Sequence, residues 1–145
     1  MADNIVTLLL VEDDDIDAIS IERNFKNQRI ANPIMRAYDG LEALELLRNG
    51  QVPSPFVILL DLQLPRMNGI EFLDAIRQDI ELRHAVIFVL TTSRSEQDIL
   101  HSYSKNIAGY FVKDEAADSF RDVVKLLDGY WHIAQLPQVK MDSSA

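Results

Sequence analysis

The 145-residue chain has no cysteine. That excludes a disulfide framework, a thiolate metal site and a thiol nucleophile. Long hydrophobic runs are also missing: the apolar stretches are strand-sized, far short of the roughly 20 residues a helix needs to cross a bilayer. The first residues offer Asp3 and no lysine or arginine, unlike a secretory leader. These absences predict a cytoplasmic protein with no membrane partner. Basic residues are in deficit, 14 against 23 acidic, for a formal net charge of −9. Holding nucleic acid by its phosphates needs a basic face, and nothing here supplies one. The surplus acidity serves solubility. No internal repeat, low-complexity block or second domain interrupts the chain. Hydrophobic content of 48% and charged content of 26% are those of a soluble globular protein with one core.

What is present is organised around Val57-Ile58-Leu59-Leu60-Asp61-Leu62-Gln63-Leu64-Pro65. An apolar run bounded by turn formers reads as a strand buried on both faces, hence central in a parallel sheet. A carboxylate follows at once, before Pro65, Asn68 and Gly69 open a loop. Ahead of it, Ile5 to Val11 reads as a strand. A helix then runs to about Gln28, with Asp14 and Asp17 available to cap it. Asn32 to Ala37 is a weaker strand signal. Asp39-Gly40-Leu41-Glu42 resembles a capping box for a helix with Leu41, Leu44 and Leu47 on one face, closed by Asn49-Gly50.

After the central strand, Ile70, Leu73, Ile76 and Ile80 mark a third helix, and Val86 to Leu90 a fourth strand ending at Thr91-Thr92-Ser93. Ser95 to Asp98 can cap a helix carrying Ile99, Leu100 and Tyr103. Ala108 to Val112 is the fifth strand, ending in Lys113-Asp114. Phe120, Val123, Val124, Leu127, Tyr130 and Trp131 stand at helical spacing. Beyond Pro137 the sequence is polar and expected to fray. Five strands alternating with five helices predict an α/β fold, a (βα)5 doubly wound sandwich on a five-stranded parallel sheet (flavodoxin-like) with an extended last helix. Its expected bounds are 5–133, with 134–145 a partly disordered tail.

In such a sheet the strand ends share one edge, where ligands bind. Glu12-Asp13, Asp61, Thr91-Thr92 and Lys113 all fall there. Several converging carboxylates are unfavourable without a cation, and an all-oxygen set favours Mg2+ or Mn2+ over zinc. A hydroxyl and an ammonium beside them make an anion site. Together these parts describe phosphoryl transfer to a carboxylate.

The acidic pair after the first strand, the Asp-Leu-x-Leu-Pro-x-Met-Asn-Gly segment at 61–69, the strand-end threonine and the strand-end lysine resemble, in order, the receiver domain of two-component response regulators. Leu64 to Leu73, Val89 to Ser93 and a Tyr130-Trp131 extension ending at Leu136-Pro137 are similar to small single-domain regulators paired with bacterial phytochromes. The resemblance implies that Asp61 accepts a phosphoryl group from a sensor histidine kinase, possible donors including a bacteriophytochrome. It implies that Asp13 binds Mg2+ directly and Glu12 through water, with Asp61 and the Gln63 backbone carbonyl completing the protein ligands. Lys113 would pair with the phosphoryl oxygens and Thr91 would donate to one of them. Thr92 would line the site, and Tyr110 would be an aromatic switch. With no output domain following, the signal would leave through contacts with a downstream protein or a second copy, and Tyr130-Trp131 as spare aromatic surface argues for a homodimer. Such a protein is no enzyme beyond its own phosphorylation and dephosphorylation.

Plainer readings stand beside these. Glu12-Asp13 also reads, less well, as a capping cluster, Thr91-Thr92 as the end of a β-branched strand and Lys113 as a surface lysine, while a half-buried strand tyrosine explains Tyr110 about as well as a switch. Trp131 reads as helix packing or interface. His84, His101 and His132 lie away from the predicted edge and carry no assigned chemistry. One departure matters: Asp114 replaces the proline that follows the lysine in the family, where the peptide is cis. A cis bond before a non-proline residue costs about 2.5–4 kcal/mol, so a trans bond here would displace the lysine. A degenerate receiver that binds proteins independently of phosphorylation is therefore the alternative. A small Mg2+-dependent phosphohydrolase is a third reading, but it needs Asp-x-Asp where this chain has Asp61-Leu62-Gln63.

Overall fold

In the computed structural model, residues 5–113 and 119–139 are described. Five strands, β1 (Thr7–Val11), β2 (Ile34–Ala37), β3 (Phe56–Leu60), β4 (Val86–Thr91) and β5 (Gly109–Val112), form one sheet in the order β2-β1-β3-β4-β5. All neighbours are parallel. The connecting helices are α1 (Asp15–Asn27), α2 (Gly40–Arg48), α3 (Gly69–Gln78), α4 (Glu96–Ser104) and α5 (Ser119–Ile133).

The alternation of side chains along each strand builds two cores. Leu9 and Val11, Ile58 and Leu60, and Ile87 and Val89 join Ala43, Leu44, Leu47, Phe72, Leu73 and Ile76 of α2 and α3 on one face. Leu8 and Leu10, Val57 and Leu59, and Phe88 and Leu90 join Ala18, Ile21, Phe25, Val123, Val124, Leu127 and Trp131 of α1 and α5 on the other. Every residue of β1 and β3 is buried, as the unbroken apolar runs predict. Burial of each large aliphatic side chain stabilises by about 1.5–3 kcal/mol.

Several local expectations are corrected. At α2, Asp39 accepts from the Glu42 amide, but the Glu42 carboxylate takes the Tyr38 amide instead of closing the box on Asp39. The reciprocal box sits at α3, between Asn68 and Glu71. Ile80 lies beyond the end of α3 and is 76% exposed. The apolar residues Leu100 and Tyr103 of α4 also face outward. Trp131 is buried, its ring centroid 6.1 Å from that of Phe25. It is therefore core rather than spare surface.

The chain continues after α5 as an irregular segment described to Val139. Leu136 and Val139 pack against the two cores, and the Val139 amide donates to Ser54 Oγ at 2.9 Å. Residues 140–145 lie outside the described residues. At the sheet edge where β4 and β5 begin, the Arg77 guanidinium gathers four carbonyls, those of Lys105, Arg83, Ala85 and Asn106, at 2.6–3.2 Å. Among the described residues no helix is long and apolar enough to cross a membrane.

Candidate phosphoacceptor and metal site

The strand order reverses between β1 and β3: the connection from β1 runs outward to β2, and the chain then returns to β3 on β1's other side. The carboxyl ends of the strands on either side of such a reversal flank a crevice that no connection covers. Glu12 and Asp13 leave β1 there, and Asp61 leaves β3. The Asp61 amide donates to the Val11 carbonyl at 3.0 Å, which fixes the two strand ends side by side. One oxygen from each of Glu12, Asp13 and Asp61 lies within 4.8 Å of the others. Glu12 and Asp61 are buried and Asp13 is exposed, so the cluster opens to solvent on one side.

Lys113, at the end of β5, reaches back into this rim with only 8% of its side chain exposed. Its Nζ donates to Glu12 Oε1 at 2.7 Å, Asp17 Oδ2 at 2.8 Å and Asp61 Oδ2 at 2.9 Å. Burial alone would lower the lysine's pKa. Hydrogen bonds to Asp17, Glu12 and Asp61 outweigh it and hold the ammonium above its ordinary range. Glu12 is raised as well, which for a carboxyl favours the neutral form: burial, then the Asp61 charge, push it up to about 8, against the opposing pull of Lys113. Two carboxylates beyond what one ammonium neutralises cannot all stay ionised cheaply out of water. The set consists entirely of oxygen donors with one open side, the chemistry that fits a hard divalent cation. A closed tetrahedral zinc site would need different ligands.

The other predicted residues surround this centre. The second oxygen of Asp61, Oδ1, accepts from the Gln63 amide at 3.1 Å, and Gln63 Oε1 accepts from Thr92 Oγ1 at 2.8 Å. Thr91 is fully buried at the end of β4; its carbonyl accepts from the Lys113 amide and its Oγ1 from the Ser93 amide. Tyr110 is half-buried against the core and donates its hydroxyl to the Ser93 carbonyl at 2.9 Å. Burial raises its pKa. Two further residues hold the loop after Asp61. Arg66, at φ 58°, forms a paired contact with Asp39 at 2.7 and 3.2 Å. Burial opposes ionisation of Asp39, but the Arg66 hydrogen bond and the cap on the α2 amides hold it below its ordinary range.

The expected displacement of Lys113 is not observed, since its ammonium touches Asp61. Asp114, on which the argument about the preceding bond rests, lies outside the described residues. Asp17 was expected to share in capping α1. Asp14 does that alone, accepting from the Ile16 and Asp17 amides, and the Asp17 carboxylate is free to bind Lys113. His101 pairs with Asp74 and His132 with Asp128, away from the rim.

A doubly wound parallel sheet with a carboxylate cluster and a buried lysine at its switch point defines a recognisable class. Residues 8–125 match the response regulator receiver domain family, and the chain belongs to it. It is 35% identical over 127 residues to a probable methanogenesis regulatory protein, FilR2, of Methanothrix harundinacea, spanning 86% of this chain and 82% of that one. It is 33% identical over 128 residues to the response regulator Rcp1 of Synechocystis sp., covering 86% and 87% of the two. The Mn(2+)-bound structure of Rcp1 superposes with a TM-score of 0.81 at 32% identity, over 90% of this chain and 98% of that one. The phosphorylated cyanobacterial phytochrome response regulator RcpA superposes with a TM-score of 0.82 at 33% identity, over 90% and 97%. The protein is thus a two-component response regulator receiver, and phosphorylation-based signalling is its function. The phosphorylation-independent alternative loses its footing with Lys113 in place.

Proposed function

We propose that Asp61 is the phosphoryl acceptor and that a sensor histidine kinase is the donor. The observation that carries this is the single rim at which Asp61, a metal-capable acidic pair and a three-way-bonded lysine meet. An Asp61 oxygen forms the new O–P bond as the donor's N–P bond breaks, and the departing imidazole regains a proton. Asp13 directly, Glu12 through water, Asp61, and the Gln63 carbonyl would hold Mg2+, or Mn2+ in its place. Bound there, the cation neutralises charge on the transferring group and orients it. Lys113 would pair with phosphoryl oxygens. Thr91 would turn its hydroxyl to the same group, Thr92 with Gln63 would bound the approach, and Tyr110 would follow Thr91 as the switch. On this reading the chain's chemistry is the gain and loss of its own mark. On the same reading the protein works in the cytoplasm, and the likeness to phytochrome regulators favours a bacteriophytochrome as the kinase.

The experiment is mass spectrometry after treatment with acetyl phosphate and Mg2+. The parent gains one phosphoryl group, and Asp61→Asn and EDTA-treated protein gain none. A parent that stays unmodified would refute the acceptor assignment.

For the output we propose a second copy of this chain alongside a downstream protein. The support is no longer Trp131, which is core, but an apolar groove of about 660 Å3 between α4, β5 and α5. Tyr103, Leu126 and Ile133 line it and are 49%, 43% and 86% exposed.

A further inference from the structure

The Lys113 ammonium has three N–H donors, and each ends on a different carboxylate, from Glu12, Asp17 and Asp61. Two of those acids belong to the metal-capable cluster; Asp17 does not. It projects from the first turn of α1. The capping hydrogen bonds there are already made by Asp14, so the Asp17 carboxylate is left to bind Lys113.

We propose that Asp17 is a positioning residue that keeps Lys113 at the rim while Glu12 and Asp61 are engaged by a divalent cation and by the phosphoryl group. This deepens the reading of the site given above and rests on it. A cation and an ammonium compete for the same Glu12 and Asp61 oxygens. With Asp17 present, the ammonium retains an anionic partner outside the cluster and can loosen its hold on the other two without losing all compensation for its buried charge. With Asp17 neutralised, Lys113 would be compensated by Glu12 and Asp61 alone, and an arriving cation would have to displace it. The loss of a nearby negative charge works in the same direction, so both effects weaken cation binding.

The test is Mn2+ binding to the full chain, by calorimetry or by the electron paramagnetic resonance signal of free Mn2+. Asp17→Asn should weaken binding by roughly tenfold, the size expected for one partly screened charge a few ångströms from a divalent ion. Asp14→Asn is the matched control: it removes the same charge from the same turn, asparagine caps as well as aspartate, and position 14 does not touch Lys113. Its effect should stay below about threefold. Asp17→Glu should recover most of the affinity. In a Lys113→Met background the excess effect of Asp17→Asn over Asp14→Asn should vanish, which a merely structural contact would not produce. If Asp17→Asn weakens binding no more than Asp14→Asn, or keeps its full excess without Lys113, the positioning role is wrong while the Asp61 assignment stands. If the parent binds no Mn2+, the metal reading of the rim fails and this inference with it.

Discussion

The fold works against a charge on Glu12. It is 1% exposed, and burial together with Asp61 pushes its pKa from 4.5 to about 8. A carboxyl whose folded value lies above its unfolded one binds its proton more tightly in the native state. Stability from that term is fully present below about pH 4.5 and is lost as the pH rises through about 8. In metal-free protein, Glu12→Gln should therefore flatten the decline in stability between pH 5 and 8, roughly the interval between the two values. Urea denaturation in EDTA at both ends of that interval measures it; a decline equally steep in the variant would show that other groups carry the dependence. The convergence of Glu12, Asp61 and Lys113 was legible because each follows directly on an apolar run, with Asp13 next to Glu12, and runs mark strand ends. Asp17 was not. It lies 96 positions from Lys113 in the chain, on a helix turn where a carboxylate is the ordinary choice for a cap, and only the fold reveals its partner. The Gln63 side chain escaped for the same reason, since its bond to Thr92 spans two strand ends.

At the scale of elements, the start of α3 sets how closely the loop after Asp61 can turn. The Gly69 amide donates to the Leu62 carbonyl at 3.0 Å. A Cβ on Gly69 would sit 2.5 Å from the Asp61 carbonyl oxygen and 2.6 Å from Leu62 Cα, both backbone atoms that cannot swing aside. Gly69→Ala should cost on the order of 1–3 kcal/mol in urea denaturation, the range for overpacking. It should also slow acetyl phosphate labelling, because the displaced backbone is that of Asp61 itself. Unchanged stability and labelling would mean that the helix shifts freely. Asn68-Gly69-Ile70-Glu71 has the spacing of a capping box, as Asp39-Gly40-Leu41-Glu42 does. The two patterns part only in three dimensions, where Arg66 occupies Asp39 and the Glu42 carboxylate turns to Tyr38. Apolar spacing found α4 but not its buried face. Leu100 and Tyr103 stand at helical intervals, yet Ser102 is the buried residue of that helix and the other two face solvent. Periodicity identifies a face without saying what covers it.

For the whole molecule, the order β2-β1-β3-β4-β5 does the work of bringing residues 12, 61 and 113 together. Alternating strands and helices made the parallel sheet readable, and the position of the reversal followed from the resemblance rather than from any single residue. What covers α4, β5 and α5 is a question at this same scale. If a second copy does, the parent should sediment as a dimer in the micromolar range, more completely with a phosphoryl mimic, and Ile133→Asp should sediment as a monomer with its fold intact by circular dichroism. Specific interfaces bury roughly 800 Å2 per partner, so a charge at so exposed an apolar position within one should be decisive. A parent that remains monomeric under all conditions would leave the groove to a different protein.

The guanidinium of Arg77 gives this arrangement a mechanical bias. It pins the chain just past the far end of α4, at Lys105 and Asn106, to the turn that leads into β4. The near end of the same helix is joined to the rim through Ser93 and Ser95, by hydroxyl contacts to Asp98 and to neighbouring amides and by the Tyr110 hydroxyl on the Ser93 carbonyl. A rod anchored at one tip and lightly tethered at the other behaves as a lever with a fixed fulcrum. A change of charge at Asp61 would then swing the end of α4 nearest the mark and leave the distal end still.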